Sequence, residues 1–194
     1  MTVLGLTGPL GAGKSVVLDQ WAREGAYVID CDKLYHDLLS ENAALLSDIE
    51  KSFPGVVKNG ALDRRALGAI VFNDKAALER LNAITHPRIL EVLGEALSKA
   101  RSGGFKAAAV EALYLPELAG LCDVKVCLTA TPEERLRRVM KRDSFSEETA
   151  RARIDSQQKD IYFINACDIV IVNDGSEEVL REKAREIYLE VAHG

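Results

Sequence analysis

Near its beginning the chain reads Gly8-Pro9-Leu10-Gly11-Ala12-Gly13-Lys14-Ser15, which fits the pattern G-x-x-x-x-G-K-[ST] without a mismatch. A loop of this kind wraps a phosphate with inward-pointing backbone N–H groups, and a Cβ at its glycine positions would obstruct that path. A helix that begins at the lysine adds its positive N-terminal end. The pattern therefore predicts a nucleotide-binding P-loop, in which Lys14 reaches the β- and γ-phosphates and Ser15 supplies a hydroxyl to Mg²⁺.

The segments around the P-loop alternate between strands and helices. An apolar strand, Thr2–Leu6, precedes the loop, and a helix over about Lys14–Arg23 follows it. Four further compact segments are typical of buried parallel strands, namely Ala26–Asp30, Phe105–Val110, Val124–Leu128 and Ile169–Val172. The alternation predicts an α/β fold of the P-loop NTPase type, with a parallel five-stranded sheet flanked by helices.

The connection between the second and third strands is too long for a simple crossover and predicts several helices. The expected helices are roughly Lys33–Leu39, Ala43–Ser52, Arg64–Phe72, Lys75–Ile84 and Pro87–Ala100. We therefore expect one P-loop domain over residues 1–194, with a helical insertion at about 33–103 and a small helical lid at about 131–164. The core then comprises about 1–32, 104–130 and 165–194.

Composition and charge exclude several classes of protein. The 25 Lys and Arg residues against 30 Asp and Glu residues leave a net charge of −5, which argues against a broad nucleic-acid-binding surface. The four cysteines form no C-x-x-C pair, so a zinc site is not expected. No apolar leader and no uncharged apolar run of about 20 residues is evident, which favours a cytoplasmic protein with free thiols and no membrane contact.

The P-loop alone leaves the reaction open. Neither D-x-x-G nor N-K-x-D, which a GTPase would show, occurs in the chain, and no hydrophobic run ends in Asp-Glu as in larger ATPases. A kinase of a small metabolite or nucleoside remains the common use of a short P-loop chain. A non-catalytic nucleotide-binding regulatory module is the alternative from another class.

A kinase needs a group that orients and deprotonates the attacking hydroxyl. Asp30-Cys31-Asp32 follows the second strand, at the carboxyl edge of the sheet where such folds bind ligands. Strand alternation would place Asp30 and Asp32 on the same side, so either carboxylate could face the phosphates. The alternative is that Asp32 only caps the helix that follows.

Several motifs in collinear order resemble the dephospho-coenzyme A kinase family. They comprise Gly5-Leu6-Thr7-Gly8, Gly13-Lys14-Ser15, Val28-Ile29-Asp30-Cys31-Asp32 with His36, Gly60-Ala61-Leu62-Asp63-Arg64, Val71-Phe72, His86-Pro87, Gln157 and Val172-Asn173-Asp174-Gly175. The resemblance covers nearly the whole chain and is more specific than the P-loop alone. It implies ATP-dependent phosphorylation, with Mg²⁺, of the 3′-hydroxyl of dephospho-coenzyme A, which is the final step of coenzyme A biosynthesis. No obligate protein partner is evident from the sequence.

The resemblance also implies roles for individual residues. Asp32 becomes the catalytic base, His86 lies on the substrate side of the helical insertion, and Asn173 lies in the adenine-side loop. Arg138 and Arg142 match arginines of the family's lid, whereas Arg135 and Arg137 do not match cleanly. For these two the simpler interpretation is a solvated cationic helix face, while Gln157 is expected to hold the lid in place.

Two departures from the family pattern bear on the site. Val16 replaces a residue whose hydroxyl could approach the α-phosphate, although its backbone N–H remains with those of Gly11, Ala12, Gly13, Lys14 and Ser15 to bind the phosphates. Val110-Glu111-Ala112-Leu113-Tyr114 stands where the family commonly has V-P-L-L-F-E, so Leu115 replaces the usual acid. We expect Glu111, at the end of a strand, to supply an acid to the substrate side instead, and its alternative is a solvated loop residue.

The charge of the chain is unevenly distributed. Residues 131–159 contain eight Lys and Arg against six Asp and Glu, so this segment carries +2 and the remainder −7. Five of the positive residues fall within Arg135–Arg142, which contains no acid. The predicted lid is therefore a local basic surface suited to polyanionic substrates such as ATP and dephospho-coenzyme A.

Overall fold

The computed structural model of the chain describes residues 1–72, 74–112, 118 and 120–193. Its strands are β1 (Thr2–Thr7), β2 (Tyr27–Asp30), β3 (Val57–Lys58), β4 (Ala61–Leu62), β5 (Ala107–Glu111), β6 (Val124–Thr129) and β7 (Ile169–Val172). Its helices are α1 (Lys14–Arg23), α2 (Cys31–Glu41), α3 (Ala43–Ser52), α4 (Arg64–Val71), α5 (Lys75–Ser102), α6 (Pro132–Asp143), α7 (Glu147–Asp155), α8 (Asp160–Ile164) and α9 (Glu177–His193).

The main sheet has five parallel strands in the order β2-β5-β1-β6-β7. Strand β1 lies at the centre, and the loop that leaves its carboxyl end leads into α1. Strand β5 lies between β2 and β1, and Ala107, Ala108, Ala109 and Val110 are all completely buried, as a strand with neighbours on both sides requires. The predicted α/β fold with a five-stranded parallel sheet is confirmed.

The chain divides into two compact units, residues 1–30 with 99–194 and residues 31–98. The first unit holds the sheet, and its core packs α1 and α9 with the strands. Trp21 of α1 is fully buried there, and its indole N–H donates to the carbonyl of Ala184 at 2.8 Å. This bond satisfies the only polar atom of a large buried side chain. It therefore fixes α1, and with it the P-loop that precedes α1, against α9.

The second unit is a helical subdomain with its own apolar core. Helices α2, α3 and α4 and the first part of α5 enclose Leu45, Ile49 and Leu67, together with the short antiparallel hairpin β3–β4. Side-chain caps begin two of the helices, since Asn42 accepts from the N–H of Leu45 and Asp63 from that of Ala66. The hairpin was not predicted, because two-residue strands leave no alternating pattern in the sequence.

Helix α5 corrects one prediction made from the sequence. We expected two helices separated near Ile84, with His86-Pro87 at the start of the second, but α5 runs unbroken over Lys75–Ser102 with Pro87 inside it. Proline in a helix interior costs roughly 3 kcal/mol. Ile84 and Ile89 lie on opposite sides of Pro87 in sequence and pack against the same core, so tertiary burial offsets that cost.

The boundaries of other elements differ by a few residues from those predicted. Helix α2 begins at Cys31 rather than Lys33, and α4 ends at Val71 rather than Phe72. Helix α6 begins after Thr131, whose side chain caps it by accepting from the N–H of Glu134 at 3.3 Å. Within the described ranges of the chain, no helix is long and apolar enough to cross a membrane.

Candidate nucleotide and substrate site

The loop between β1 and α1 has the glycine conformations that a P-loop requires. Gly11 and Gly13 have φ angles of 80° and 105°, in the left-handed region that glycine tolerates. A Cβ on Gly11 would lie 2.6 Å from the backbone oxygen of Arg135, and one on Gly13 would lie 2.6 Å from the amide nitrogen of Asn173. Both glycines are therefore required by their backbone conformation and by closely packed neighbours.

The carbonyl groups of the loop are held by donors on its outer side. Arg135 donates to the carbonyl of Leu10 at 3.0 Å, and Asn173 donates to that of Ala12 at 2.8 Å. Arg138 lies at 3.3 Å from the Ala12 carbonyl. In a trans peptide the C=O and the next N–H point in opposite directions. The N–H groups of Gly11 and Gly13 therefore point away from these donors.

Lys14 is oriented by the loop and by one acid. Its ammonium donates to the carbonyl of Gly8 at 2.8 Å and lies 3.9 Å from the carboxylate of Glu111. The Lys14 side chain is only 16% exposed and that of Glu111 24%. A half-buried ion pair at the carboxyl ends of β1 and β5 places one cation and one acid beside the P-loop.

Most of the residues predicted from the sequence to form the site line one cavity of about 590 Å³ in the first unit. The lining residues that were predicted are Gly11, Gly13, Lys14, Ser15, Val16, Glu111, Arg138, Arg142 and Asn173. Ala12, also predicted, is fully buried behind the loop and contributes its carbonyl to the bonds described above. A cavity of this size falls within the range of roughly 300–1,000 Å³ that small-molecule sites typically occupy.

Part of the cavity wall was not predicted. It is formed by Leu10, Arg137, Val139, Gly175, Ser176, Glu177 and Leu180. The last four belong to the connection after β7 and to the start of α9. The signal that could have found them is the position of β7, because ligands of parallel sheets bind beyond the carboxyl ends of the strands.

The arginines of α6 are partly balanced by neighbouring acids. Arg137 donates to Glu134 at 2.8 Å, and this bond lowers the pKa of the Glu134 carboxyl. Arg142 donates to Asp143 at 2.7 and 2.8 Å, which raises the pKa of its guanidinium and lowers that of the Asp143 carboxyl. Each of these two arginines therefore has a charged acid beside it, which offsets part of the positive charge on this wall of the cavity.

Arg135 differs most from its predicted environment. A solvated cationic face was the simpler expectation for it, but the residue is only 5% exposed and forms an ion pair of 2.7 Å with Asp160. The expectation was wrong because Asp160, twenty-five residues along the chain, forms an ion pair with Arg135. This pair offsets the desolvation cost of burying the guanidinium. Gln157 does contact the P-loop, since its side-chain oxygen accepts from the N–H of Leu10 at 2.7 Å.

Two predicted substrate-side residues belong to the second unit. Asp32 is an exposed residue in the first turn of α2, and His86 lies half-buried in the middle of α5. The expected alternation of Asp30 and Asp32 along one strand is wrong, because β2 ends at Asp30 and the chain turns helical at Cys31. Asp30 is instead the register partner of Glu111 on the neighbouring strand. Leu115, at the position of the family's usual acid, lies outside the described residues.

A central P-loop on a five-stranded parallel sheet, with a cationic cavity in front of it, defines the class of P-loop nucleotide-binding proteins. A family model described as dephospho-CoA kinase matches residues 2–178. A dephospho-CoA kinase of Corynebacterium glutamicum is 35% identical over 196 residues, which covers 98% of this chain and 100% of the relative. The chain therefore belongs to the dephospho-CoA kinase family.

Solved structures agree with this assignment. The dephospho-CoA kinase from Campylobacter jejuni is 30% identical, with a TM-score of 0.61 over 100% of this chain and 98% of that one. The crystal structure of a Thermus thermophilus protein is also 30% identical, with a TM-score of 0.79 over 99% of this chain and 97% of that one. The predictions of a kinase that uses ATP and acts in the final step of coenzyme A biosynthesis are confirmed.

Proposed function

We propose that the cavity beside the P-loop binds ATP and presents its γ-phosphate to the 3′-hydroxyl of dephospho-coenzyme A. The observation that carries the proposal is the cavity itself, which joins the P-loop, Lys14 and the arginines of α6 on one wall. The N–H groups of Gly11 to Val16 bind the phosphates, and Lys14 reaches the β- and γ-oxygens. Asn173 lies on the adenine side, where its amide also fixes the Ala12 carbonyl.

The donor atoms near Lys14 fit a magnesium ion. Ser15 offers a hydroxyl at the first turn of α1, on the wall of the cavity that also holds Lys14. Hard oxygen donors of this kind are the ligands that Mg²⁺ prefers, with nucleotide phosphates completing the set. When bound, the ion would neutralise charge on the β- and γ-phosphates. Ser15 is the proposed protein ligand, and Glu111 faces the acceptor side.

Asp32 is the proposed catalytic base. A carboxylate in this position would accept the hydroxyl proton as the new O–P bond forms. His86, also in the second unit, is proposed to contact dephospho-coenzyme A. Both assignments rest on the motifs Asp30-Cys31-Asp32 and His86-Pro87, and they agree with the exposure of Asp32 to solvent.

Arg138 and Arg142 are proposed to stabilise the transferring phosphoryl group. The side chain of Arg138 is 24% exposed and its guanidinium lies near the P-loop carbonyls, whereas the side chain of Arg142 is 62% exposed. Planar forks of this type suit phosphate oxygens, and removal of Arg142 from its salt bridge to Asp143 would bring a second cation to the γ-phosphate. Helices α6, α7 and α8 would act as the lid that delivers it.

We also propose a cytoplasmic location, with two small-molecule substrates and neither nucleic acid, a membrane nor an obligate protein partner. The net charge of −5 and the placement of the basic residues on α6 support this proposal. It agrees with the absence of spanning helices among the residues that the structure describes.

The direct test is a coupled assay of ADP release in which dephospho-coenzyme A, nucleosides and gluconate are offered separately as acceptors. We expect ADP release only with dephospho-coenzyme A, and phosphorus NMR of the product should show a new monoester at the ribose 3′-position. Turnover of a nucleoside or gluconate instead would reassign the acceptor. ATP binding without ADP release from any acceptor would favour the non-catalytic module.

A further inference from the structure

Leu10 of the P-loop is held through both of its backbone polar groups by side chains distant in sequence. Its N–H donates to the side-chain oxygen of Gln157 at 2.7 Å, and its carbonyl accepts from Nε of Arg135 at 3.0 Å. The peptide groups on both sides of Leu10 are therefore fixed from outside the loop.

Arg135 is itself fixed by a second contact. While Nε binds the Leu10 carbonyl, the terminal nitrogen pairs with Asp160 at 2.7 Å. The other oxygen of Asp160 lies 3.4 Å from the hydroxyl of Thr129, the last residue of β6. A charge-assisted pair with two partners holds a guanidinium in one orientation. The sheet edge and the P-loop are thus connected through one buried cation.

This connection determines which way the Leu10–Gly11 peptide faces. Because Arg135 binds the carbonyl, the N–H of Gly11 points away from α6. Without Arg135 the peptide could rotate and present its carbonyl oxygen to the anion, since Gly11 tolerates unusual φ angles. A buried cation also strengthens the dipole of the peptide that it binds.

We propose that Arg135, held in place by Asp160, is a positioning residue for the nucleotide polyphosphate. It acts through the Leu10–Gly11 peptide rather than by touching the nucleotide. The motifs that carry the family resemblance assign no role to Arg135, so this role is inferred from its contacts alone. The proposal rests on the proposed binding of ATP phosphates by the P-loop.

Comparing the affinity for ADP with that for AMP distinguishes a positioning role of Arg135 from a general structural one. Gly11 lies at the opposite end of the loop from Val16, whose N–H is nearest the α-phosphate in the proposed binding mode. The Leu10–Gly11 peptide should therefore affect the phosphates beyond the first. ADP binding should respond to Arg135, and AMP binding should not.

The experiment measures Kd for ADP and AMP by calorimetry in Arg135→Met, Asp160→Asn and the double variant. Methionine fills the buried space without a donor, and asparagine keeps the shape of Asp160 without its charge. We expect the Kd for ADP to rise about tenfold in Arg135→Met, as for the loss of one charged hydrogen bond. In Asp160→Asn it should rise about threefold, because the hydrogen bond from Arg135 to Leu10 is weakened rather than lost. The double variant should match Arg135→Met, because the two residues act as one unit.

The matched control is Arg151→Met, which removes an exposed arginine that pairs with Glu147 at 2.8 Å on α7. It should leave both nucleotide affinities unchanged. Thermal unfolding is recorded for every variant, and Arg135→Lys is added because lysine keeps the charge but cannot bind Leu10 and Asp160 with two fixed nitrogens. If Arg135→Met does not fold, Asp160→Asn and Arg135→Lys still test the proposal.

Three outcomes are distinguishable. A selective loss of ADP affinity with normal AMP affinity supports the positioning role. Equal losses for ADP and AMP, or a lower unfolding temperature with both affinities normal, would overturn it. Lys14→Ala serves as the separate test of the P-loop assignment, because normal ADP affinity in that variant would refute the proposed phosphate site itself.

Discussion

The ammonium of Lys14 lies 3.9 Å from the carboxylate of Glu111, at the carboxyl ends of two neighbouring strands. Both side chains line the same cavity. The acid therefore balances part of the charge of the P-loop lysine. If ATP phosphates bind Lys14 as proposed, we expect them to replace Glu111 as its main anionic partner and to leave the carboxylate for the acceptor side.

Glu111→Gln tests whether this acid contributes to the reaction. Glutamine keeps the size and shape of Glu111 but carries no negative charge. We expect kcat to fall about tenfold or more, as for the loss of one charged partner, while the Kd for ADP stays within about twofold of the native value.

The matched control for Glu111 is Glu182→Gln, which changes an exposed acid of α9 that pairs only loosely with Arg185, at 3.4 Å. Both variants are assayed across a range of Mg²⁺ concentrations. Unchanged kcat and KM in Glu111→Gln would favour the alternative, in which Glu111 is only a solvated residue without a part in the reaction.

Lys14→Ala should abolish turnover. Lys14 is 16% exposed, points along the P-loop and is the only lysine on the cavity wall among the described residues. Loss of one preorganised cation at a transferring phosphoryl group typically costs about two to three orders of magnitude in kcat. Lys75→Ala, which removes an exposed lysine at the start of α5, is the control and should retain near-native kcat. ADP production above one-tenth of the native rate in Lys14→Ala would exclude the proposed role.

Asp32→Asn separates chemistry from nucleotide binding. If Asp32 accepts the hydroxyl proton, the amide should lower kcat about a hundredfold or more while ATP affinity remains near native, because general base catalysis contributes about 10²–10⁴. Asp30→Asn is the matched comparison, since Asp30 ends the adjoining strand. A pre-steady-state measurement of ADP formation isolates the chemical step. A large loss in Asp30→Asn with normal turnover in Asp32→Asn would assign the base to Asp30.

Local patterns in the sequence predicted the five strands of the main sheet and the P-loop, because each depends on neighbouring residues. The cavity residues Arg138, Arg142 and Asn173 were expected only from the family resemblance. Gly11 and Gly13, for example, are recognisable in the sequence because the loop needs residues that tolerate the positive φ angles observed there. Arg135 and α5 were predicted wrongly because their environment is set by distant partners. Asp160 buries the arginine, and the shared core on both sides of Pro87 outweighs a local helix breaker. The positions of Asp32 and His86 relative to the substrate depend on tertiary arrangement and stay predictions.

The stability of the helical unit should depend on pH through Asp63. This residue caps α4 by accepting from the N–H of Ala66 at 2.9 Å and pairs with Lys58 at 2.9 Å. The hydrogen bond from Lys58, followed by that from Ala66, lowers the pKa of the Asp63 carboxyl below its ordinary 3.8. A depressed carboxyl pKa stabilises the fold fully above the unfolded value, and the contribution disappears as the pH falls through the folded value.

Asp63→Asn keeps a capping oxygen but removes the charge, so it isolates this contribution. We expect urea unfolding of the native chain to have a higher midpoint than that of Asp63→Asn at pH 7, because only the carboxylate pairs with Lys58. The difference should shrink as the pH falls from 3.8 through the lower pKa of the folded state, below which the carboxyl is protonated in both states. Lys58→Gln should reduce the pH-dependent part and leave the cap intact. An equal difference in midpoint at pH 7 and at acid pH would show that Asp63 acts only as a neutral cap.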